Sequence, residues 1–118
     1  TPLICYFFVS FVKSRLGYDD SLDAFGCHGM GGVWGALMTG IFCTKAINDA
    51  GADGLLYGNP GQLIPQMTGI VTGIIVAVVM TTLIIKVLGI FMKVRATASE
   101  EAQGLDLIDH GERAYNKL

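Results

Sequence analysis

Charge is scarce in this sequence, and the scarcity excludes more than any single motif does. Eight Lys and Arg and ten Asp and Glu stand among 118 residues, giving a net charge of −2 and a charged share of 15%. The few basic residues are scattered, so no positive stripe follows a phosphate backbone and nucleic-acid binding is excluded. Cysteines are few as well: Cys5, Cys27 and Cys43 lie in or beside apolar stretches, and none belongs to a C-x-x-C pair. A disulfide framework, a redox motif and a thiolate metal site are therefore not indicated; the three read as small packing residues. Also missing is a charged leader followed by a short apolar run and a cleavage site. The sequence opens at Thr1 beside an apolar run, Leu3 to Val12, which predicts a piece of a longer chain. What is present in quantity is apolar surface, with 52% hydrophobic residues and a mean hydropathy of +0.54. That balance is far from an ordinary soluble domain and predicts a membrane protein.

Three apolar segments are separated by polar connectors. The first, Pro2 to Val12, ends in Lys13 and Arg15; the second, Ala24 to Thr44, carries no formal charge; the third lies in the uncharged stretch Gly54 to Ile85. A helix rises about 1.5 Å per residue, so about 20 residues cross a hydrocarbon core of roughly 30 Å. Backbone groups in lipid must be satisfied within the segment, which selects helix even for the Ile- and Val-rich third run. The expected fold is an all-α membrane protein with helices over about 1–14, 22–43 and 63–93, followed by a soluble tail over 94–118. Ser21 or Asp23 is placed to cap the second helix, and Pro65 suits a first helical turn. Two crossings separate the 13–23 turn from the tail, so both share one face with Lys13, Arg15, Lys86, Lys93 and Arg95, against Lys45 alone on the other. The positive-inside bias makes the turn and the tail cytoplasmic.

The second helix holds the sequence's most informative residue, His28, in DAFGCHGMGGVWGALMTG. Gly26, Gly29, Gly32 and Gly35 recur every third residue on this helix, and Gly69 and Gly73 repeat the device on the third; small residues at such spacing let neighbouring backbones approach, and packing is their expected role. Around His28 they leave little bulk, so the imidazole is expected to face a helix interface or a cavity. An ionisable side chain within a spanning helix is a candidate functional site. In its neutral form it donates one hydrogen bond and accepts another. Asp23, one and a half turns earlier, points away from His28 on an α-helix, which favours helix capping over proton relay.

The string DDSLDAFGCHGMGGVWGALMTGIF, the connector GADGLLYGNPGQL and the tail GLDLIDHGERAY resemble, in order and spacing, the last third of Amt ammonium transporters. The resemblance implies an eleven-helix inverted-repeat subunit, of which this chain supplies the last three helices, assembled as a homotrimer with a narrow pore in each subunit. It places His28 on the second member of a twin-histidine pair, with the first member upstream. The expected activity is passage of ammonium or ammonia across the cytoplasmic membrane, with no enzymatic reaction and no cofactor. Carrying NH4+ intact through an apolar pore costs many kcal/mol of desolvation, while neutral NH3 costs far less, so deprotonation before passage is the implied logic. The tail residues Gly104, Leu105, Asp106, His110, Gly111, Glu112 and Tyr115 match a segment that in the family docks on the cytoplasmic face and takes part in regulation by PII-type signal proteins. Gly104 and Gly111 permit the turns such docking needs. Other readings are an ammonium sensor or Rhesus-type channel, and, in another class, a haem- or metal-binding membrane subunit using His28 and Cys27. The tail pattern disfavours the first pair. The haem reading lacks a second histidine in an apolar segment, because His110 lies in the tail.

Overall fold

The computed structural model describes residues 1–113, all of it helix, turn or extended connector. Tyr115, expected in the regulatory tail, lies outside the described residues. The chain divides into two compact units, Thr1–Val76 and a second beginning at Ala77.

In the first unit the opening helix runs as α1 (Pro2–Phe7), a π-helical segment (Phe8–Val12) and α2 (Lys13–Leu16), with right-handed helical backbone at both junctions. Pro2 stands in the first turn, where its missing N–H is not needed. Gly17 ends the helix in the left-handed conformation, at φ 61°, and its N–H closes onto the Lys13 carbonyl at 2.8 Å. A second π segment (Phe25–Met30) opens the next helix and passes into α3 (Gly31–Phe42). Sequence periodicity anticipated plain α-helix at both π segments. The difference is physical: a π turn inserts a residue into the helix, and it forms where packing against a neighbour outweighs the poorer local geometry.

The connector after α3 is tied down by one carboxylate. Asp53 accepts hydrogen bonds from the Thr44 hydroxyl (3.1 Å) and the Lys45 N–H (2.9 Å), while its own carbonyl accepts from the Asn59 amide. Gly54 then lies on the carbonyl end of α3, where a β-carbon would stand 2.7 Å from the Gly40 oxygen. Two short 3-10 turns, Leu55–Tyr57 and Pro60–Gln62, lead into α4 (Leu63–Phe91). The start of α4 packs against the end of α3 at Gly40, where a β-carbon would meet Gln66 at 2.8 Å and Leu63 at 3.1 Å.

With 29 residues, α4 reaches about 43 Å, more than a hydrocarbon core requires. Among the described residues Pro60–Phe91 is the one helical stretch long and apolar enough by itself to cross a membrane. Its apolar side chains are exposed along its length, and no hydrophobic side chain among the described residues is fully buried.

In the second unit, the segment after α4 folds into α5 (Ala98–Gln103) and α6 (Leu105–His110). Thr97 and Glu100 form a reciprocal capping box at the start of α5. The same Glu100 oxygen also accepts from the Lys93 ammonium at 2.5 Å, and Arg95 reaches Glu101 at 3.5 Å. Gly104 (φ 96°) joins the two helices, and Gly111 (φ 67°) closes α6 with its N–H on the Leu107 carbonyl.

The donors converging on Glu100, first the Lys93 ammonium and then the Thr97 N–H and hydroxyl, hold its carboxyl down at about 2. A depressed carboxyl contributes stability that is complete above its ordinary value near 4.5 and is lost as pH falls toward 2, so the junction is fully engaged at neutral pH. Glu100→Gln is expected to accelerate amide hydrogen exchange over residues 98–103 in the full-length protein at neutral pH. Glu101→Gln, whose partner is the looser Arg95 pair, should change it little. Equal protection in both variants would count against the capping box as the anchor of α5.

Candidate functional site

The site is built where the opening helix meets the helix that carries His28. Between them runs the turn Gly17 to Asp23. Asp20 caps the second helix: its two carboxylate oxygens accept the Ala24 and Phe25 N–H groups, each at 2.9 Å. This corrects the expectation that Ser21 or Asp23 does so. Asp23 instead stands before the helix in the left-handed region (φ 54°), and its carboxylate takes the Lys13 ammonium at 2.5 Å. Lys13 also donates to the Asp20 carbonyl, so one lysine ties the end of the first helix to two of the turn's three aspartates, Asp20 and Asp23. The aspartate three residues earlier was passed over because capping was judged by sequence distance from the apolar run, whereas the turn's fold brings Asp20 over the first free N–H groups.

The π segment Phe25–Met30 is held at Gly26, while Phe25, Cys27, His28 and Gly29 are exposed. Gly26 is buried, and a β-carbon there would lie 2.7 Å from Val9 Cγ2 and 3.3 Å from the Val9 nitrogen. The Phe25 ring sits edge-on to Phe8 and Tyr18, with centroids 6.2 and 5.6 Å away, and lies over Gly29. The Cys5 thiol donates to the Cys27 carbonyl at 3.6 Å. His28 itself is exposed on the surface of this chain, and among the described residues its ring has no hydrogen-bond partner. No atom comes within 4 Å of a β-carbon placed at Gly32 or Gly35, so the helix beside the imidazole is bare.

The glycines thus fall into two sets. Gly26, Gly31 and Gly40 meet other parts of this chain; Gly31 lies against Cys5 Sγ. Gly32, Gly35, Gly69 and Gly73 face open space, and Gly29 meets only the ring of Phe25 on its own helix. The sequence pattern puts Gly26 in one series with Gly29, Gly32 and Gly35 and does not tell the two sets apart, and Val9 carries no signal of its own. The signal available for Gly26 was its place two residues before the histidine. No group of three or more His, Cys, Asp or Glu side chains suited to a metal ion occurs among the described residues.

An all-helical membrane protein with a bare, glycine-flanked histidine is the class this arrangement defines. The chain belongs to the Ammonium Transporter Family, whose model matches residues 1–115. It is 46% identical over 112 residues to an ammonium transporter of Bacillus subtilis, covering 95% of this chain and 28% of that protein. An ammonium transporter of Aquifex aeolicus is 44% identical over 111 residues (94% and 26%), and one of Dictyostelium discoideum 36% identical over 116 residues (98% and 25%). The chain therefore spans about a quarter of the length of these relatives. No solved structure matches it significantly.

Loss of the Asp20 cap leaves two N–H groups at the start of the histidine helix without their partner. Asp20→Ala is expected to cost about 0.5–2 kcal/mol, the usual range for a lost N-cap. Ser21→Ala, with no such bond, should be nearly silent. Thermal unfolding of the detergent-solubilised full-length protein, followed by the monodisperse fraction, checks the difference; an equal shift for both would remove the cap assignment.

Proposed function

We propose that this chain is the histidine-bearing part of a pore that passes ammonium or ammonia across the cytoplasmic membrane. The observation that carries the reading is His28, unpartnered among the described residues and bordered by a bare strip at Gly32 and Gly35, in a member of the ammonium transporter family. An imidazole so placed offers one acceptor and one donor to a small nitrogen ligand and leaves room for it. The helix containing it, the opening helix and α4 all cross the bilayer in this reading, and the partner histidine comes from sequence outside this chain. Gly32, Gly35, Gly69 and Gly73 then receive helices of that remaining part, or of neighbouring subunits in a homotrimer.

The tail follows the last crossing on the cytoplasmic side, where Lys93 and Arg95 satisfy the positive-inside bias. Its two short helices, jointed at Gly104 and closed at Gly111, form the surface for a PII-type signal protein, with Leu105, Asp106, His110 and Glu112 as contacts.

Replacing the imidazole tests the pore reading. His28→Ala in the full-length protein should assemble normally yet lose ammonium transport or its selectivity over potassium by at least about tenfold, read as flux into proteoliposomes. Unchanged flux and selectivity would remove the histidine from the mechanism. For the tail, truncation after Ala98 should leave a membrane-inserted protein that no longer binds the PII-type partner or responds to an ammonium shift. Equal capture of the partner by full-length and truncated protein, with equal uptake responses, would reduce the tail to a solvated end.

A further inference from the structure

The residues around His28 in the chain, rather than its ring, make contacts with the opening helix. Gly26 meets Val9, the Cys27 carbonyl takes the Cys5 thiol, Phe25 stands against Phe8, and Gly31 lies against Cys5. The imidazole is left free while the turn that carries it is clamped. The contact joins the π segment Phe25–Met30 to both the α-helical start of the opening helix, at Cys5, and its π segment Phe8–Val12. We propose that Val9 and Gly26 are positioning residues for His28: the opening helix fixes the π turn, and through it the direction in which the imidazole projects. This rests on the pore role of His28 proposed above.

The geometric argument is about register. A π turn adds one residue to the helix, so its relaxation to α-helix re-phases the side chains beyond it by about 100°. At Gly26 the backbone of the opening helix comes close, with the Val9 nitrogen 3.3 Å from where a β-carbon would stand. Adding that carbon forces the helices apart or unwinds the π turn. Either response moves the imidazole, and misplacing a reacting group by about 1 Å can cost about 100-fold. Val9 supplies the wall, its Cγ2 being the nearest atom at 2.7 Å.

The test is a cycle of variants in the full-length protein, reconstituted at matched amounts of folded protein, with the ratio of ammonium to potassium flux as the readout. Gly26→Ala should lower that ratio at least about tenfold, within the range a misplaced group produces. Val9→Ala, which removes two methyl groups from the wall, should lower it about threefold by loosening the same turn. The double variant should exceed both singles, because the new β-carbon at 26 occupies space the valine vacates. If Gly26→Ala does not accumulate as folded protein, Val9→Ala and the double variant carry the test, and a double variant no better than Val9→Ala overturns the proposal. His28→Ala separates the two levels. If it leaves the ratio unchanged, the pore role of the histidine fails; if it collapses the ratio while the Val9 and Gly26 variants leave it intact, only the positioning proposal fails. Gly26→Ala added to His28→Ala should have no further effect, since the group being positioned is gone.

Discussion

The constraint on which the structure depends is that backbone N–H and C=O groups must be satisfied inside each helical segment wherever no water can reach them. The segments do this through their own ladders, and the difficulty moves to their ends, where the first N–H groups have no partner in the helix. Single acidic residues solve it at two places: Asp20 takes two N–H groups ahead of the histidine helix and Glu100 completes the box at α5, while a third, Asp53, gathers the connector after α3. Lysines accompany the first two, Lys13 spanning the Asp20 turn and Lys93 the Glu100 box. These charged groups of a sparsely charged chain sit in the turns and connectors between helical segments. This is where a membrane protein brings polar groups to the water boundary.

Packing within the chain is local and thin. The opening helix touches the histidine helix and the start of α3, while the end of α3 meets the connector at Gly54 and the start of α4, and no hydrophobic side chain among the described residues is enclosed as in a soluble core. Apolar surface on this scale must be covered by lipid or by other protein. The glycines record both kinds of boundary. Gly26, Gly31 and Gly40 mark contacts already made, while Gly32, Gly35, Gly69 and Gly73 lie open at spacings suited to receiving another helix.

Much of this was legible in the sequence, for reasons that differ from residue to residue. The third apolar run appears as α4 because length and composition alone dictate a helix there. The turns at Gly104 and Gly111 follow from the freedom of glycine at positive φ. The histidine stood out because an ionisable group among glycines in an apolar run has few structural uses. What was not legible required a neighbour. The π segments carry no signature of their own, since FVSFV and FGCHGM read equally well as α-helix. The cap fell on Asp20 rather than Asp23 because the Lys13 ammonium engages Asp23 and the turn folds Asp20 over the helix start. Gly26 resembled its fellow glycines until the backbone of Val9 was seen beside it.

In the proposed pore the site is incomplete in a way its chemistry makes plain. An ammonium ion presents N–H donors in every direction, and in an apolar pore its charge is costly unless acceptors meet those donors or one proton is given up to leave neutral ammonia. One imidazole provides a single acceptor, and the bare helix at Gly32 and Gly35 provides none. A lone histidine would leave the ion with most of its desolvation cost uncompensated. In the proposed pore a further polar group from outside this chain faces His28, and the strip beside the imidazole stays free of side chains so that the two can share a ligand between them. The same proposal accounts for the anchoring of the histidine's neighbours on the opening helix, since a clamp on the open side would occupy the space that ligand needs.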